Sequence, residues 1–141
     1  MTNGEKREIT VEATLANLEK VTEFVNEQLE QIGCPPRAQM QIDITIDELF
    51  SNISFYAYNP EVGMATISIE VIDEPMEVIL TFSDNGTPYD PLDAEKPDVT
   101  LSAEERKVGG LGIYIVKQSM DEIAYEYKDG KNILKVKKKI N

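Results

Sequence analysis

Residues 47–53 read Asp-Glu-Leu-Phe-Ser-Asn-Ile, within a stretch from about Arg37 to Tyr58 that has helical periodicity. Its apolar residues are spaced four, three, four and four positions apart, which is typical of the buried face of an α-helix; they are Ile42, Ile46, Leu49, Ile53 and Ala57. At about 100° per residue, Glu48 and Asn52 fall on one flank of this stripe. A flank position is where a cleft beside the core would be lined.

The segments before this helix predict a strand and then another helix. Residues 7–14 alternate between apolar and polar side chains, which is typical of a half-buried strand. Residues 15–33 carry apolar side chains at helical spacing, and Gly33 is a natural C-cap for them. Pro35 and Pro36 then separate the two helices, because proline is tolerated in a first helical turn.

The segments after it predict two hairpins and a third helix. Residues 64–73 and 76–83 alternate as paired strands, and a helix is predicted from about Gly110 to Met120. Asp129-Gly130 predicts the tight turn of the last hairpin. We therefore expect one domain over residues 1–141. Its fold class is α/β, an α+β two-layer sandwich with a mixed, mostly antiparallel sheet and helices on one face.

The composition excludes several classes of function. The net charge of −12 over 141 residues argues against direct nucleic-acid binding, and the basic cluster 135–139 reads as a solvated strand face and tail. The chain has no histidine, which excludes His-based zinc sites, Ser-His-Asp triads and a phospho-accepting His. A single cysteine, a polar N-terminus and the lack of a membrane-length apolar run indicate a cytoplasmic protein with no membrane segment.

Glu48 and Asn52 carry side chains of complementary chemistry. A carboxylate can accept a proton from a nucleophile, and an Asn carbonyl oxygen is a hard neutral ligand that suits Mg²⁺. Side chains four residues apart are neighbours on a helix, so the pair could serve one reaction centre. An exposed acid beside a structurally satisfied Asn explains the same spacing, and the pair alone does not decide between them.

Two glycine-containing motifs lie further along the chain. Asp84-Asn85-Gly86 ends an apolar strand, where a carboxylate could accept a hydrogen bond from adenine and glycine would let the base approach; a plain turn is the alternative. Gly109-Gly110-Leu111-Gly112 opens an apolar helix, whose first N–H groups favour an anion; a flexible hinge is the alternative. This motif is neither a Walker A loop nor a dinucleotide fingerprint.

In order and context, the three motifs resemble the N, G1 and G2 boxes of the GHKL ATPase superfamily. Residues 47–53 resemble the N box, residues 84–91 the G1 box, and residues 109–122 the G2 box with its following helix. The chain is most similar to the small stand-alone bacterial anti-sigma factor serine kinases, and the resemblance covers nearly its whole length. It implies a GHKL-type domain that holds ATP between its helices and the loop 85–109.

The resemblance implies a role for each motif residue. Glu48 would be the general base that deprotonates a serine hydroxyl, and Asn52 would bind the Mg²⁺ that bridges the ATP phosphates. Asp84 would accept a hydrogen bond from the adenine amine, with Gly86 beside the ring. Gly110 and Gly112 would let backbone amides meet the phosphates. Arg106 lies near the position of a family arginine that acts on the γ-phosphate; a solvated lid residue is the alternative.

Two positions depart from the family pattern. Many relatives have His where this chain has Tyr56, and many have Thr near the adenine where it has Lys131-Asn132-Ile133. Tyr56 removes a protonatable group, although its hydroxyl can still form hydrogen bonds. Whether Asn132 substitutes for the Thr stays open.

The resemblance implies an ATP-binding anti-sigma factor and protein-serine kinase. It would phosphorylate a small anti-sigma-factor antagonist protein and sequester a sigma factor, with ATP and Mg²⁺ as cofactors and a homodimer as the expected assembly. An alternative is an ATP-gated binding module that captures a regulatory partner without phosphoryl transfer. A detached histidine-kinase catalytic domain ranks last, because the sequence shows no His-bearing helical hairpin or docking region.

Overall fold

Five strands form one sheet in the order β1-β2-β3-β5-β4. The computed structural model describes residues 6–57, 61–72, 76–90 and 110–140. The strands are β1 (Lys6–Glu12), β2 (Met64–Ile72), β3 (Glu77–Asp84), β4 (Glu122–Lys128) and β5 (Lys131–Lys139). The helices are α1 (Leu18–Gln31), α2 (Pro36–Asn52) and α3 (Gly110–Ser119), with a 3₁₀ turn at Leu15–Asn17 and a π-helical segment at Ile53–Ala57.

Each of the four strand pairings is antiparallel. Strands β3 and β4 run in the same direction, but β5 lies between them, so no directly paired parallel strands occur among the described residues. The predicted α+β fold with a mostly antiparallel sheet is confirmed, and the described strands show no parallel pairing that would make the sheet mixed. The register places Asp84 of β3 opposite Asn132 of β5, which brings two polar residues together at one end of the sheet.

One face of the sheet packs against the helices. Strand β3 alternates as expected, and its buried side chains are Val78, Leu80, Phe82 and Asp84. Helices α1 and α2 place their apolar stripes over this face, because apolar side chains at helical spacing share one side of a helix. The fully buried residues of these stripes include Val21, Val25 and Leu29 from α1 and Ile42, Ile46 and Phe50 from α2.

The end of α1 is a Schellman motif. Gly33 has a φ of 67°, and the N–H of Cys34 donates to the Leu29 carbonyl at 3.1 Å while that of Gly33 donates to Glu30 at 3.2 Å. These two bonds satisfy the last carbonyls of the helix, and glycine adopts the left-handed conformation without a Cβ penalty. Helix α2 then begins with Pro36 in its first turn. The predicted C-cap is confirmed.

Helix α2 changes form where the sequence pattern predicts a continuous helix to about residue 58. The α-helical bonds stop at Asn52, and Ile53–Ala57 continues as a π-helix. Short π-helical segments occur frequently at functional sites. This segment lies beside the turn that follows β3, since the Thr87 N–H donates to the Ala57 carbonyl at 2.8 Å.

The lysines of β5 are not all solvated. Lys137 contacts Glu77 at 3.6 Å and Glu122 at 3.2 Å, and the ammonium of Lys138 donates to the Ser119 carbonyl at 2.8 Å. Lys138 thus binds the C-terminal end of α3, where the helix dipole favours a cation. The prediction of a plain solvated face is incomplete for Lys138, because a lysine stem can pack while its charge reaches a polar group. Within the described segments, no helix has the length and apolarity to cross a bilayer.

Candidate nucleotide-binding site

Glu48 and Asn52 contact each other on α2. The Asn52 Nδ2 donates to Glu48 Oε1 at 3.2 Å, and Asn52 is only 5% exposed. The contact follows from the spacing, since side chains four residues apart are adjacent on an α-helix. It directs the amide nitrogen of Asn52 at the carboxylate and turns its carbonyl oxygen away from Glu48. The amide therefore has an oxygen to offer a hard cation.

The carboxyl group of Glu48 is partly removed from water. Burial raises its pKa, the hydrogen bond from Asn52 opposes that rise, and the negative charge of Asp47 adds to it. Desolvation favours the neutral form of an acid, so the carboxylate is a better proton acceptor than an exposed one. A base whose pKa lies nearer neutrality is better matched to proton transfer at neutral pH.

Helix α3 brings Gly112 against this carboxylate. A Cβ atom at Gly112 would lie 1.9 Å from Glu48 Oε2 and 2.3 Å from its Cδ, far inside van der Waals contact. Glycine at this position therefore lets the Glu48 carboxylate lie against α3 without being displaced. Gly110 is the first residue of α3, so the first N–H groups of this helix, which have no acceptor within it, lie in the same region as Glu48.

Asp84 lies at the end of β3, on the buried face of the sheet. It is 6% exposed, and its Oδ1 accepts hydrogen bonds from the Gly86 N–H at 2.8 Å and from Asn132 Nδ2 at 2.9 Å. Burial raises the pKa of Asp84, and both of these hydrogen bonds oppose the rise because they favour the charged form. The donors from Gly86 and Asn132 thus both bond the same oxygen of the carboxylate.

Gly86 lets the turn after β3 pack on the π-helical segment. A Cβ atom at Gly86 would lie 2.2 Å from the Ala57 carbonyl oxygen and 2.7 Å from its Cβ. Because the obstructing atoms are largely backbone, no side-chain rotation could make room. The glycine is thus needed for close packing of the turn, in addition to any approach of a ligand.

A pocket between α2 and the sheet joins the two parts of the site. Its polar lining comes from both, since Asn52 and Asp84 each contribute, and apolar and aromatic side chains form the remaining walls. Such a lining of apolar walls with few polar groups is typical of small-molecule sites. The lining residues are Leu49, Asn52, Ile53, Ala57, Phe82, Asp84, Tyr89, Tyr125, Asn132 and Leu134.

The predicted site residues therefore form two connected groups. Glu48, Asn52 and Gly112 meet where α2 faces α3, and Asp84 and Gly86 lie at the end of β3. Arg106 and the side chain of Tyr56 lie outside the described part of the structure.

Three pocket residues with polar side-chain groups are not among the predicted site residues. The sequence leaves the role of Asn132 open and contains no local pattern that assigns Tyr89 or Tyr125 to the site. Asn132 and Tyr125 reach the pocket through the pairing of β5 between β3 and β4, which no local pattern specifies. The sequence does contain one indication of the β4–β5 register, the turn Asp129-Gly130. Both residues have positive φ, at 53° and 76°, so this turn sets how the two strands of the hairpin pair.

The geometry and the sequence comparisons agree on one family. Residues 11–138 match the family described as the histidine kinase-like ATPase domain. The chain belongs to this family, whose description as an ATPase domain implies ATP binding.

Several curated relatives that match are named as serine or serine/threonine kinases. The chain is 32% identical to serine/threonine-protein kinase BtrW of Bordetella bronchiseptica, over 75% of this chain and 77% of that protein. It is 29% identical to serine-protein kinase RsbW of Listeria monocytogenes, over 68% of this chain and 63% of that protein. It is 30% identical to an RsbW of Bacillus cereus, over 67% of this chain and 60% of that protein.

A solved structure shares the fold. The RsbU and RsbW domains of Rv1364c from Mycobacterium tuberculosis align with a TM-score of 0.68 over 96% of this chain and 32% of that chain. Because the sequences are 16% identical, this match concerns the fold. It agrees with the α+β sheet-and-helix architecture described above.

Proposed function

We propose that the chain is a protein-serine kinase using Mg-ATP, which phosphorylates a small antagonist protein and sequesters a sigma factor. One observation carries the proposal: the Glu48 carboxylate lies between Asn52 of α2 and Gly112 of α3. A proton acceptor, a metal-ligating amide and a helix N-terminus suited to phosphate thus meet at one point. The kinase names of the relatives support the same activity.

Glu48 is the proposed general base. The serine Oγ forms a bond to the γ-phosphorus, the bond from that phosphorus to the leaving ADP oxygen breaks, and the hydroxyl proton passes to Glu48. The raised pKa of Glu48, caused mainly by burial, makes its carboxylate a stronger acceptor of that proton. Beyond this proton transfer, the protein mainly positions groups and neutralises charge.

The residues present fit ATP and Mg²⁺. Within the described segments, no cluster of three or more His, Cys, Asp or Glu side chains could hold a metal by itself. Mg²⁺ does not require such a cluster, since it keeps several waters and is bound through few protein atoms plus substrate phosphates. Asn52 is the proposed protein ligand. Bound Mg²⁺ would supply neutralisation of the phosphate charge.

The remaining residues are proposed to hold the nucleotide. Asp84 accepts a hydrogen bond from the exocyclic amine of adenine, and Gly86 keeps the turn close enough for the base to enter. Gly110 and Gly112 present backbone N–H groups to the phosphates at the start of α3. Arg106 is proposed to contact the γ-phosphate. A homodimer in the cytoplasm is the proposed state of the protein.

Incubation with radiolabelled ATP, Mg²⁺ and the cognate antagonist tests the kinase activity. We expect label on a serine of the antagonist. Glu48→Gln should lower the labelling rate by about 10²- to 10⁴-fold, which is the typical contribution of a general base. Glu126→Gln is a matched control, since Glu126 is an exposed residue of β4. It should leave labelling unchanged. No label with the wild type, or equal label with Glu48→Gln, would overturn the kinase assignment.

The same experiment separates a kinase from an ATP-gated binding module. A binding module would bind ATP and capture its partner but transfer no phosphate. ATP affinity is therefore measured for the wild type and for Glu48→Gln beside the labelling. Intact ATP binding with no transfer in the wild type would select the module.

A further inference from the structure

Helices α2 and α3 run in opposite directions along the sheet. Helix α2 ends at Asn52, which lines the pocket together with Asp84 at the end of β3. Helix α3 ends at Ser119, whose carbonyl accepts a hydrogen bond from Lys138. Lys138 is paired with Val78, near the start of β3. The end of α3 therefore lies far from the pocket, whereas the end of α2 lies at the pocket.

Two exposed isoleucines lie about one helical turn from the place where Glu48 meets Gly112. Ile44 precedes Glu48 by four residues and is 41% exposed, and Ile115 follows Gly112 by three residues and is 39% exposed. Residues at these spacings share one face of a helix. Because the two helices are antiparallel, both isoleucines lie on the same side of the Glu48 carboxylate.

Met40 extends this exposed apolar surface along α2. It precedes Ile44 by four residues and is 56% exposed. Met40, Ile44 and Ile115 are called the apolar strip below. Single exposed apolar side chains are ordinary on a protein surface, whereas a patch of them beside a proposed reaction centre indicates an interaction site.

Helix α2 presents acidic groups next to the apolar strip. Asp47 is exposed, follows Ile44 by three residues and immediately precedes Glu48, and Asp43 is half-buried beside Ile44 in the chain. The basic residue of this helix, Arg37, precedes Glu48 by eleven residues, which is about 16 Å along the helix. The chain as a whole carries a net charge of −12. A partner that brings basic side chains close to Glu48 is therefore complementary to this surface.

A protein substrate of Glu48 has to place the neighbours of its serine on this surface. The serine hydroxyl must approach the carboxylate to about 3 Å for proton transfer. Along the helix, Ile44 lies about 6 Å from Glu48 and Met40 about 12 Å. An extended segment advances about 6.6 Å in two residues and about 13 Å in four, and these residues share one face. The second and fourth residues from the serine therefore match the spacing of the two side chains.

We propose that the apolar strip and Asp47 bind the segment of the substrate protein that carries the acceptor serine. This segment is extended, has apolar side chains two and four residues from the serine, and carries a basic side chain close to the serine that pairs with Asp47. The inference rests on the proposed function, because it takes Glu48 to act on a serine of a protein. It assigns recognition of that protein to residues outside the nucleotide pocket.

The test measures kcat and KM for the antagonist, and KM for ATP, in Ile44→Ser and Ile115→Ser. We expect the KM for the antagonist to rise about 10-fold in each variant, as for truncation of an apolar interface anchor. The KM for ATP should not change, because neither isoleucine lines the pocket. The kcat should stay near that of the wild type, because Glu48 is retained. Met40→Ser replaces either variant if it does not fold.

Asp47→Asn tests the charge of the surface. Its KM for the antagonist should rise about threefold, as for loss of an exposed ion pair, and should respond less to added salt than that of the wild type. Only KM reports the ion pair, because the charge of Asp47 also raises the pKa of Glu48 and thereby affects kcat. A wild-type KM and salt dependence in this variant would overturn the pairing with a basic side chain.

Leu15→Ser is the matched control. Leu15 is 49% exposed in the 3₁₀ turn before α1, outside the apolar strip, so its substitution should leave both KM values unchanged. A wild-type KM for the antagonist in both isoleucine variants would overturn the inference and leave the kinase intact. A dimer that dissociates in Ile44→Ser with unchanged KM, observed by analytical ultracentrifugation, would overturn it in favour of a second copy of the chain. A wild type that transfers no label would overturn both the inference and the proposed function.

Discussion

At the scale of single residues, the lack of a side chain at Gly112 leaves the space that the Glu48 carboxylate occupies. An added Cβ would lie 1.9 Å from Glu48 Oε2, at the far end of a flexible side chain. The carboxylate can therefore move aside at small energetic cost, but it then leaves its position beside Asn52. Function should be more sensitive than stability to this substitution.

We expect Gly112→Ala to lower the rate of serine phosphorylation about 100-fold, the effect of a misplacement near 1 Å. Thermal unfolding should change little. Gly33→Ala is the opposite control: its φ of 67° strains any side chain, so it should cost about 1 kcal/mol of stability and leave the rate unchanged. Kinetics and calorimetry on both variants measure the contrast. A Gly112→Ala enzyme with the wild-type rate would contradict the assignment of this contact.

Asp84 predicts an acid limit for ATP binding. Its pKa is raised by burial, and only the charged form accepts a hydrogen bond from an amine without rearrangement. Binding should be complete above this raised pKa and be lost as the pH falls through it, by roughly tenfold per pH unit below. Titration calorimetry over a pH series measures the limit.

Asp84→Asn separates this effect from the protonation of ATP itself. The amide does not titrate, so the ratio of wild-type to variant affinity reports Asp84 alone. We expect that ratio to be highest at neutral pH and to decline on the acid side. A ratio independent of pH would show that the charge of Asp84 does not contribute to binding.

At the scale of secondary-structure elements, the turn after β3 and the π-helical segment act as one unit. The Ala57 carbonyl accepts the Thr87 N–H, and Gly86 packs on the same peptide group. Asn52, the proposed metal ligand, immediately precedes this segment. The packing therefore connects the proposed metal ligand Asn52 to the turn after Asp84, the residue proposed to bind adenine.

We expect Gly86→Ala to cost about 1–3 kcal/mol of stability, because the added Cβ would overlap backbone atoms and force a backbone shift. ATP affinity should fall as well, since the shift displaces the turn that follows Asp84. Urea unfolding and calorimetry measure the two effects. A variant with wild-type stability would contradict the close packing of the turn on Ala57.

The comparison of Gly86 with Gly112 shows how far sequence alone could specify this site. The three motifs were identifiable because helical phasing places Glu48 beside Asn52 and because strand alternation ends at Asp84. The reason for each glycine was not, since it depends on atoms brought close by tertiary packing. The question of Asn132 stayed open for the same reason, because its place opposite Asp84 depends on β5 pairing with β3, which is a non-local register.

Helices and strands were predictable where the hydrophobic periodicity agreed with glycine or proline residues at the ends of the element. Residue 33 as a C-cap and the turn at 129–130 both follow from local backbone requirements, and both have the expected positive φ. The change from α- to π-helix after residue 52 has no local signal. The change accompanies a tertiary contact to the turn at residues 86–87. The spacing of apolar residues along the helix contains no information about that contact.

At the scale of the whole molecule, the pocket lies where several helices and strands come together. Its lining comes from α2, the π-helical segment, β3, the turn after β3, β4 and β5. A ligand bound there contacts the folded arrangement and has no comparable site in the unfolded chain. Nucleotide binding should therefore stabilise the entire fold and not a single element.

We expect ATP with Mg²⁺ to raise the free energy of unfolding by about 2.7 kcal/mol when free ATP is 100 times its dissociation constant. Differential scanning calorimetry should show a single transition that moves up as the ATP concentration increases. In Asp84→Asn the same ATP concentration should give a smaller shift, because binding is weaker and the stabilisation depends on the ratio of ligand to dissociation constant. In Glu48→Gln the shift should persist, since that side chain is assigned to proton transfer. A shift lost in Glu48→Gln but kept in Asp84→Asn would reverse the division between the catalytic and base-binding ends of the pocket.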